Sequence, residues 1–232
     1  MQQKDKEGQD SLPSFGDRIN VNRNNGASVL NPGSDLKNTQ SKFEGPLQNL
    51  PGWETLVQKE PTESELKALL ENREVLLYFG HGSGSQYIRS RTIKRLERCA
   101  VALLMGCSSG ALTEAGGFES YGTPMNYMHG GSPAVLATLW DVTDKDIDRF
   151  SQTVLEEWGL FEKSQPPTTS SPVKKSVKQK AKSKANDAQE TKIEGISPVS
   201  LDEAVARGRD SCILKYLNGA APVVYGVPVF LS

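Results

Sequence analysis

Three short apolar runs constrain the fold of this chain more than any other feature of its sequence. They span residues 75–79, 100–105 and 134–140, and none of them contains a charged residue. Apolar runs of strand length are typical of strands that are buried on both faces of a parallel sheet. Stretches with helical periodicity separate and follow them. This alternation predicts an α/β fold, in which a parallel sheet is flanked by helices on both faces.

Capping and turn residues predict further elements. Thr62 and Ser200 each stand three residues before a glutamate, which is the spacing of a helix capping box. We expect the second of these helices to run to about Leu217. Residues 28–30 read as a strand that ends at an Asn-Pro-Gly turn. Pro228 favours an edge strand near the C-terminus, so we expect the sheet to have a mixed edge.

The charge of the chain divides it into a body and an insertion. Residues 163–192 contain eight lysines and two acidic residues, a net charge of +6, while the rest of the chain carries −7. We expect residues 163–195, which are rich in Pro, Ser, Thr and Lys, to be a disordered insertion in one domain of residues 28–232. The polar residues 1–27 lack hydrophobic periodicity, and we expect them to be flexible. An acidic body does not suggest direct binding of nucleic acid but suits a cationic substrate.

Several classes of protein are disfavoured. The sequence lacks an apolar run of the ~18–20 residues that cross a membrane, and its polar first ten residues do not resemble a secretory signal. We therefore expect a soluble, intracellular protein. Three cysteines without metal-type spacing indicate neither a disulfide framework nor a zinc site. With two histidines, His81 and His129, a multi-histidine site is also disfavoured, and we expect no metal or cofactor.

A histidine and a cysteine follow the first two apolar runs directly. His81 lies in a Gly-His-Gly-Ser-Gly segment and Cys107 in a Gly-Cys-Ser-Ser-Gly segment. Ligand sites of parallel sheets lie at the carboxyl ends of the strands. A neutral histidine beside a cysteine can accept the thiol proton, and the thiolate can then attack a carbonyl group. We therefore predict that His81 is the general base and Cys107 the nucleophile, and that the N–H groups of Gly82 and Cys107 form the oxyanion hole.

Other interpretations of these residues remain open. A lone free cysteine is more often a buried core thiol, and a lone histidine is more often structural, as we expect for His129. The Gly/Ser-rich segment after the first run resembles a phosphate-binding turn but lacks P-loop spacing. A histidine and a cysteine at two strand ends, both among small residues, favour the catalytic interpretation. No residue that orients His81 is evident, although a backbone carbonyl group would serve.

An acidic cluster follows the third apolar run. Residues 140–148 include four aspartates, of which the first-turn members are explained by capping of a helix. Four carboxylates exceed what a cap requires. Beside a peptidase site, one of them would bind a substrate guanidinium group in a bidentate pair. We favour Asp148, which lies one helical turn after Asp144 and flanks the apolar face.

Taken together, these motifs resemble the peptidase domain of separase. The resemblance is carried by residues 78–84, 104–110 and 139–150, with further similarity at 29–32 and 221–226. It covers about residues 28–160 and 197–232. It implies a caspase-like α/β fold with His81 and Cys107 as the catalytic dyad. Because the long helical region of full separases is not in front of this domain, the resemblance also implies that the chain is a C-terminal fragment.

The resemblance also implies a biological role. The expected activity is cleavage after arginine in Glu-x-x-Arg motifs of the cohesin kleisin subunit, which separates sister chromatids at anaphase in the nucleus and cytoplasm, with spindle association in mitosis. Securin is the expected pseudosubstrate inhibitor. The arginine pocket is expected to use Asp148 first, with Asp146, Asp141 and Trp140 as further substrate-binding residues. The alternative is a catalytically silent fragment that binds securin or a scaffold partner.

Overall fold

The computed structural model describes residues 18–163 and 198–232. Residues 1–17 and nearly all of the expected lysine-rich insertion lie outside these ranges, so the expectations for them stay predictions. Within the two described ranges, no helix is long and apolar enough to span a membrane.

The elements alternate between strands and helices over most of the chain. In chain order they are β1 (Ile19–Val21), β2 (Gly26–Leu30), α1 (Lys37–Gln48), β3 (Glu54–Val57), α2 (Glu63–Asn72), β4 (Val75–Phe79), α3 (Ser90–Ile93), β5 (Val101–Leu104), β6 (Leu112–Ala115), β7 (Phe118–Gly122), α4 (Thr123–His129), β8 (Ala134–Thr138), α5 (Asp144–Trp158), α6 (Leu201–Gly208), a 3₁₀ turn (Arg209–Ser211), β9 (Pro222–Gly226) and β10 (Val229–Leu231).

A six-stranded sheet forms the centre of the molecule. Its strand order is β3-β2-β4-β5-β8-β9. The first five strands are parallel, and β9 runs antiparallel to β8 at one edge. Every residue of β2, β4, β5 and β8 is buried. The predicted α/β class and the predicted mixed edge are therefore both confirmed.

Two hydrophobic layers cover the two faces of this sheet. Because successive side chains of a strand point to opposite faces, Leu77 and Phe79 of β4 pack in one layer, and Leu76 and Tyr78 pack in the other. The first layer is closed by α1, α5 and α6, and Phe43 of α1 stacks on Phe79 with ring centroids 4.5 Å apart. The second layer is closed by α2, α3 and α4. The two layers hold the parallel strands in place, so their carboxyl ends lie on the same side of the sheet.

The structure differs from the expected elements in three places. Residues 19–21, expected to be flexible, form β1, because they pair in parallel with β10 at the far end of the sequence. Pro228 therefore precedes β10 of this separate two-stranded sheet, while β9 is the edge strand. Helix α6 ends at Gly208 instead of near Leu217. A Cβ atom at Gly208 would lie 2.6 Å from Val154, so close packing on α5 requires a glycine there.

Candidate active site

The ends of β4, β5 and β8 come together around one cleft. His81, which follows β4, and Cys107, which follows β5, both line it. Asp148 of α5 lines it as well. Apolar side chains complete its walls, namely Leu36, Phe79, Met105, Val142 and Ile147. The cleft thus combines a thiol, an imidazole and a carboxylate within an apolar surrounding, which is the usual composition of a ligand site.

The loops that carry His81 and Cys107 touch through their backbones. A Cβ atom at Gly106 would lie 2.1 Å from the carbonyl oxygen of Gly82 and 2.4 Å from that of Gly80. Real Cβ atoms do not approach backbone atoms so closely, so only glycine fits at residue 106. Gly82 itself has φ +59°, in the left-handed region. Two strand-end loops held this close bring the side chains of His81 and Cys107 to the same cleft.

Cys107 is the most accessible of the three cysteines. It is half-buried, whereas Cys99 and Cys212 are buried. Its thiol donates a hydrogen bond to the carbonyl oxygen of Val142 at 3.2 Å and accepts one from the Val142 N–H group at 3.4 Å. Burial raises the pKa of Cys99 to about 12 and that of Cys212 to about 11, so both stay protonated at neutral pH. Geometry therefore favours Cys107 as the reactive thiol.

The partner of His81 is a residue that the sequence analysis missed. The Nε2 atom of His81 lies 2.7 Å from Oδ2 of Asp35, in the loop between β2 and α1. The hydrogen bond from His81 lowers the pKa of Asp35, so the carboxylate is charged at neutral pH. Asp35 stands five residues after the strand ending at Leu30, the neighbour of β4 in the sheet. That position was the one signal in the sequence that pointed to it.

Tyr78 holds the main chain of His81 in place through a hydrogen bond. Its hydroxyl group donates a hydrogen bond to the carbonyl oxygen of His81 at 2.9 Å and accepts one from Gln86 at 3.2 Å. Burial raises the pKa of Tyr78, so its hydroxyl remains a donor. A Cβ atom at Gly80 would lie 2.5 Å from this hydroxyl oxygen. The glycine before His81 is thus needed for the support to form.

Asp148 lines the cleft, and one of its carboxylate oxygens has no hydrogen-bond partner within the described part of the chain. The residue is 7 % exposed. Its Oδ2 atom accepts a hydrogen bond from the hydroxyl of Thr39 at 3.1 Å, while Oδ1 has no hydrogen-bond partner among the described residues. Burial raises the pKa of Asp148, an effect that Thr39 and the nearby Lys42 charge partly oppose. A buried carboxylate oxygen without a partner is costly, and a cationic group entering the cleft would relieve that cost.

The other three predicted substrate-binding residues do not line this cleft. Asp146 binds the segment 213–218 instead, and Asp141 accepts a hydrogen bond from the hydroxyl of Ser108 at 2.6 Å. The indole N–H of Trp140 donates to the carbonyl oxygen of Leu217 at 2.9 Å. Of the four residues, Asp148 therefore has the geometry of a pocket residue.

The network around Asp146 predicts a structural role. Its carboxylate accepts hydrogen bonds from the N–H groups of Ile213 and Leu214, both at 3.0 Å, and from the side chain of Asn218 at 2.9 Å. Burial alone would raise the pKa of Asp146, but these bonds outweigh it and lower the pKa to about 2. Because the folded-state pKa lies below the unfolded value, the resulting stability is complete above about pH 4 and is lost as the pH falls through about 2.

We expect Asp146→Ala to lower the free energy of unfolding by about 1–3 kcal/mol, since it leaves two half-buried N–H groups and the side-chain amide of the buried Asn218 without this acceptor. The segment 213–218 should loosen as well. Chymotrypsin should cleave after Tyr216, which is 97 % exposed, about tenfold faster or more. The reason is that the segment opens locally more often once the hydrogen bonds to Asp146 are lost. Asp144→Ala, in the same helical turn but exposed, is the control. Equal cleavage rates for the two variants would contradict the assignment.

The predicted oxyanion hole has partial geometric support. Within the described part of the chain, no hydrogen bond uses the N–H group of Gly82 or of Cys107. The two groups lie close, because a Cβ atom at Gly106 would be 2.9 Å from the Gly82 nitrogen. Cys107 lines the cleft, as do Gly80 and His81, the neighbours that precede Gly82, whereas Gly82 is not a lining residue. Across residues 18–163 and 198–232, no group of three His, Cys, Asp or Glu side chains is arranged to hold a metal ion.

Comparison with known proteins identifies the family. The family model described as separin, protease domain, matches residues 1–147. Separin of Emericella nidulans is 54% identical over 214 residues, covering 92% of this chain and 9% of that protein. Separin of Schizosaccharomyces pombe is 43% identical over 216 residues, covering 93% of this chain and 10% of that protein. The chain thus spans about a tenth of the length of these relatives.

A solved structure shows the same fold. The chain superimposes with a TM-score of 0.74 and 35% identity on the crystal structure of the Saccharomyces cerevisiae separase–securin complex, covering 96% of this chain and 13% of the matched chain. This confirms the caspase-like fold class that the resemblance implied. By the family model, by its sequence relatives and by its fold, the chain belongs to the separin protease-domain family.

Proposed function

We propose that this chain carries the active site of a cysteine endopeptidase that cleaves after arginine. The observation that carries the proposal is the cleft itself, which His81 and Cys107 line together with Asp148, a residue with a buried carboxylate oxygen that has no partner among the described residues. A thiol and an imidazole suit acyl transfer. A carboxylate in an apolar wall suits a guanidinium group, which forms paired hydrogen bonds with carboxylates.

The chemical steps follow from these residues. His81 accepts the proton of the Cys107 thiol, and the thiolate attacks the carbonyl carbon of the substrate arginine. The developing oxyanion is held by the N–H groups of Gly82 and Cys107. His81 then returns the proton to the leaving amine, which departs and leaves an acyl-enzyme at Cys107. A water molecule, deprotonated by His81, hydrolyses this thioester and restores the thiol.

The substrate and partners in the proposal come from the family. The proposed substrate is the cohesin kleisin subunit, cut in Glu-x-x-Arg motifs to separate sister chromatids at anaphase. The solved relative is a complex with securin, and we propose that securin occupies this cleft as a pseudosubstrate. The acidic body of the chain, −7 outside residues 163–192, suits a cationic cleavage site. The proposed locations are the nucleus and cytoplasm, with spindle association in mitosis.

An arginyl acyloxymethyl ketone tests the proposal directly. The Cys107 thiolate should displace the carboxylate leaving group of the probe and form a stable thioether, mapped to its residue by mass spectrometry of the digested protein. Cys99 and Cys212, whose thiols are buried, should remain unmodified. An aspartyl probe with the same reactive group is the matched control and should label Cys107 at least about tenfold more slowly, as expected for a mismatched charge.

Two results would count against the proposal. If a folded protein leaves Cys107 unlabelled by both probes, the alternative of a catalytically silent binding module for securin or a scaffold is favoured. If both probes label Cys107 equally fast, the thiol is reactive but arginine selectivity is wrong.

A further inference from the structure

A catalytic dyad of His81 and Cys107 assigns no role to the contact between Asp35 and His81. The Oδ2 atom of Asp35 lies 2.7 Å from the Nε2 atom of His81. We propose that Asp35 is the positioning residue of this active site, which accepts the Nε2–H proton of His81 in a hydrogen bond and thereby directs the Nδ1 atom to the Cys107 thiol. This inference rests on the proposed function, because it assigns a role within the same reaction.

The loop that carries Asp35 is fixed independently of His81. Asn31, which is fully buried, accepts a hydrogen bond from the N–H group of Leu36 at 2.9 Å through its side-chain oxygen. Its own N–H donates to the carbonyl oxygen of Phe79 at 2.8 Å, which ties the loop to the end of β4. The side-chain amide of Asn31 donates to Gln40 of α1 at 2.8 Å. Asp35 is thus held between two anchored residues.

This loop also stores backbone strain. Asn31 has φ +51° and Ser34 has φ +62°; asparagine tolerates the left-handed region, whereas serine does so at a cost. Strained backbone persists where surrounding contacts enforce it, and it concentrates at functional sites. Here the left-handed residue Ser34 directly precedes Asp35, which contacts His81 just after the end of β4. The loop of His81 is fixed from its other side by Tyr78.

A contribution to folding does not explain this arrangement. The side chains of Asp35 and His81 are 57% and 63% exposed. Exposed ion pairs contribute little to stability because water and salt screen them. The contact between the loops of Asp35 and His81 therefore orients the imidazole and adds little to the stability of the fold.

The chemistry of the dyad explains what the carboxylate does. A hydrogen bond from Nε2–H to Asp35 selects the imidazole tautomer whose Nδ1 atom carries a lone pair. That atom can accept the thiol proton of Cys107. The Nε2 proton stays on the ring throughout, and the carboxylate stabilises the imidazolium by its charge. When Nδ1 gives its proton to the leaving amine, the starting tautomer returns, so protons balance over the cycle.

The test uses Asp35→Ala, Asp35→Asn and Asp35→Glu in the intact protein. We expect kcat for an arginine peptide to fall about 10²-fold in the first two variants, within the range for losing general base function, with KM changed less than threefold. Asparagine should be no better than alanine, because its amide N–H can donate to Nε2 and favour the wrong tautomer. Glutamate, which keeps the carboxylate, should recover at least tenfold over alanine.

The pH dependence of Cys107 alkylation by iodoacetamide is a second measurement. It should not change if Asp35 has a purely structural role. Without Asp35 the imidazolium loses its counter-charge, so the thiolate of Cys107 forms less readily and alkylation should reach half its maximal rate at a higher pH. Asp202→Asn, an exposed exchange at the start of α6, is the control and should leave the profile unchanged.

The outcomes separate this inference from the proposed function. Wild-type protein that cleaves the peptide, with Asp35→Ala equal to it in kcat and alkylation profile, would overturn the positioning role alone. Wild-type protein that cleaves no arginine peptide would overturn the proposed function, and a pH shift in the alkylation of Asp35→Ala would still support the positioning role.

Discussion

Replacing Cys107 by serine is expected to lower kcat for a Glu-x-x-Arg peptide by at least about 10⁴-fold, because a hydroxyl group is a far weaker acid and nucleophile than a thiol. His81→Ala should have an effect of similar size, since it removes the group that accepts the thiol proton. The double variant should be no slower than either single variant, because residues that act as one unit lose their contribution together. Peptide cleavage followed by mass spectrometry measures all three.

The control for this series is the same exchange at a buried cysteine. Cys212→Ser replaces a buried thiol that donates to the carbonyl oxygen of Asp146 and does not line the cleft. Its rate per folded molecule, normalised by circular dichroism, should equal that of the wild type. A full cleavage rate in Cys107→Ser would mean that the nucleophile is another residue.

Asp148→Asn is expected to lower kcat/KM for an arginine peptide by about 10²- to 10³-fold. The substrate guanidinium would lose its buried counter-charge, and breaking one partner of a buried ion pair is strongly destabilising. The variant keeps the shape of the side chain and a group that Thr39 can bind. Its melting temperature should not fall, since the exchange removes a buried charge with an unpaired oxygen. A lower kcat/KM with an unchanged melting temperature would then show that activity is lost without unfolding.

A peptide with citrulline in place of arginine makes this test specific. Citrulline has nearly the shape of arginine but no charge, so the wild type should strongly prefer the arginine peptide. In Asp148→Asn the preference should shrink by about the same factor as the loss of kcat/KM, which is the signature of a direct pair in a double-mutant cycle. Asp202→Asn should keep the full preference. An unchanged ratio in Asp148→Asn would place the arginine pocket elsewhere.

That His81 and Cys107 share one cleft could be predicted from the sequence because the signal is local. Apolar runs locate the strands, parallel packing aligns their carboxyl ends, and His81 and Cys107 follow two of those ends directly. Their assignment as catalytic groups stays a prediction, which the shared cleft supports. The same reasoning found the sheet and its buried strands.

The acidic residues show where local reasoning fails. Asp146 and Asp148 are two residues apart and look equivalent in sequence, but side chains on a helix turn by about 100° per residue, so these two point about 200° apart. One therefore meets the segment 213–218 and the other meets the cleft. Which direction faces the cleft depends on how α5 packs on the sheet, and the sequence pattern alone does not determine that.

Long-range pairing accounts for the other omissions. Asp35 lies in a polar loop, and its importance depends on β2 lying beside β4, since only that adjacency brings it to His81. Strand β1 has three residues, Ile-Asn-Val, an alternation too short to predict a strand, and its partner β10 is remote in sequence. Neither feature is encoded in the residues that adjoin it.

The pairing of β1 with β10 also orders events during synthesis. The hydroxyl group of Ser232 donates to the carbonyl oxygen of Val21, a contact between residues 211 positions apart. On the ribosome, β1 emerges long before its partner, and contacts of such separation form late and slowly. We therefore expect the nascent chain to need protection from misassembly until β10 is made. For this reason we expect the folding of the chain to depend on chaperones.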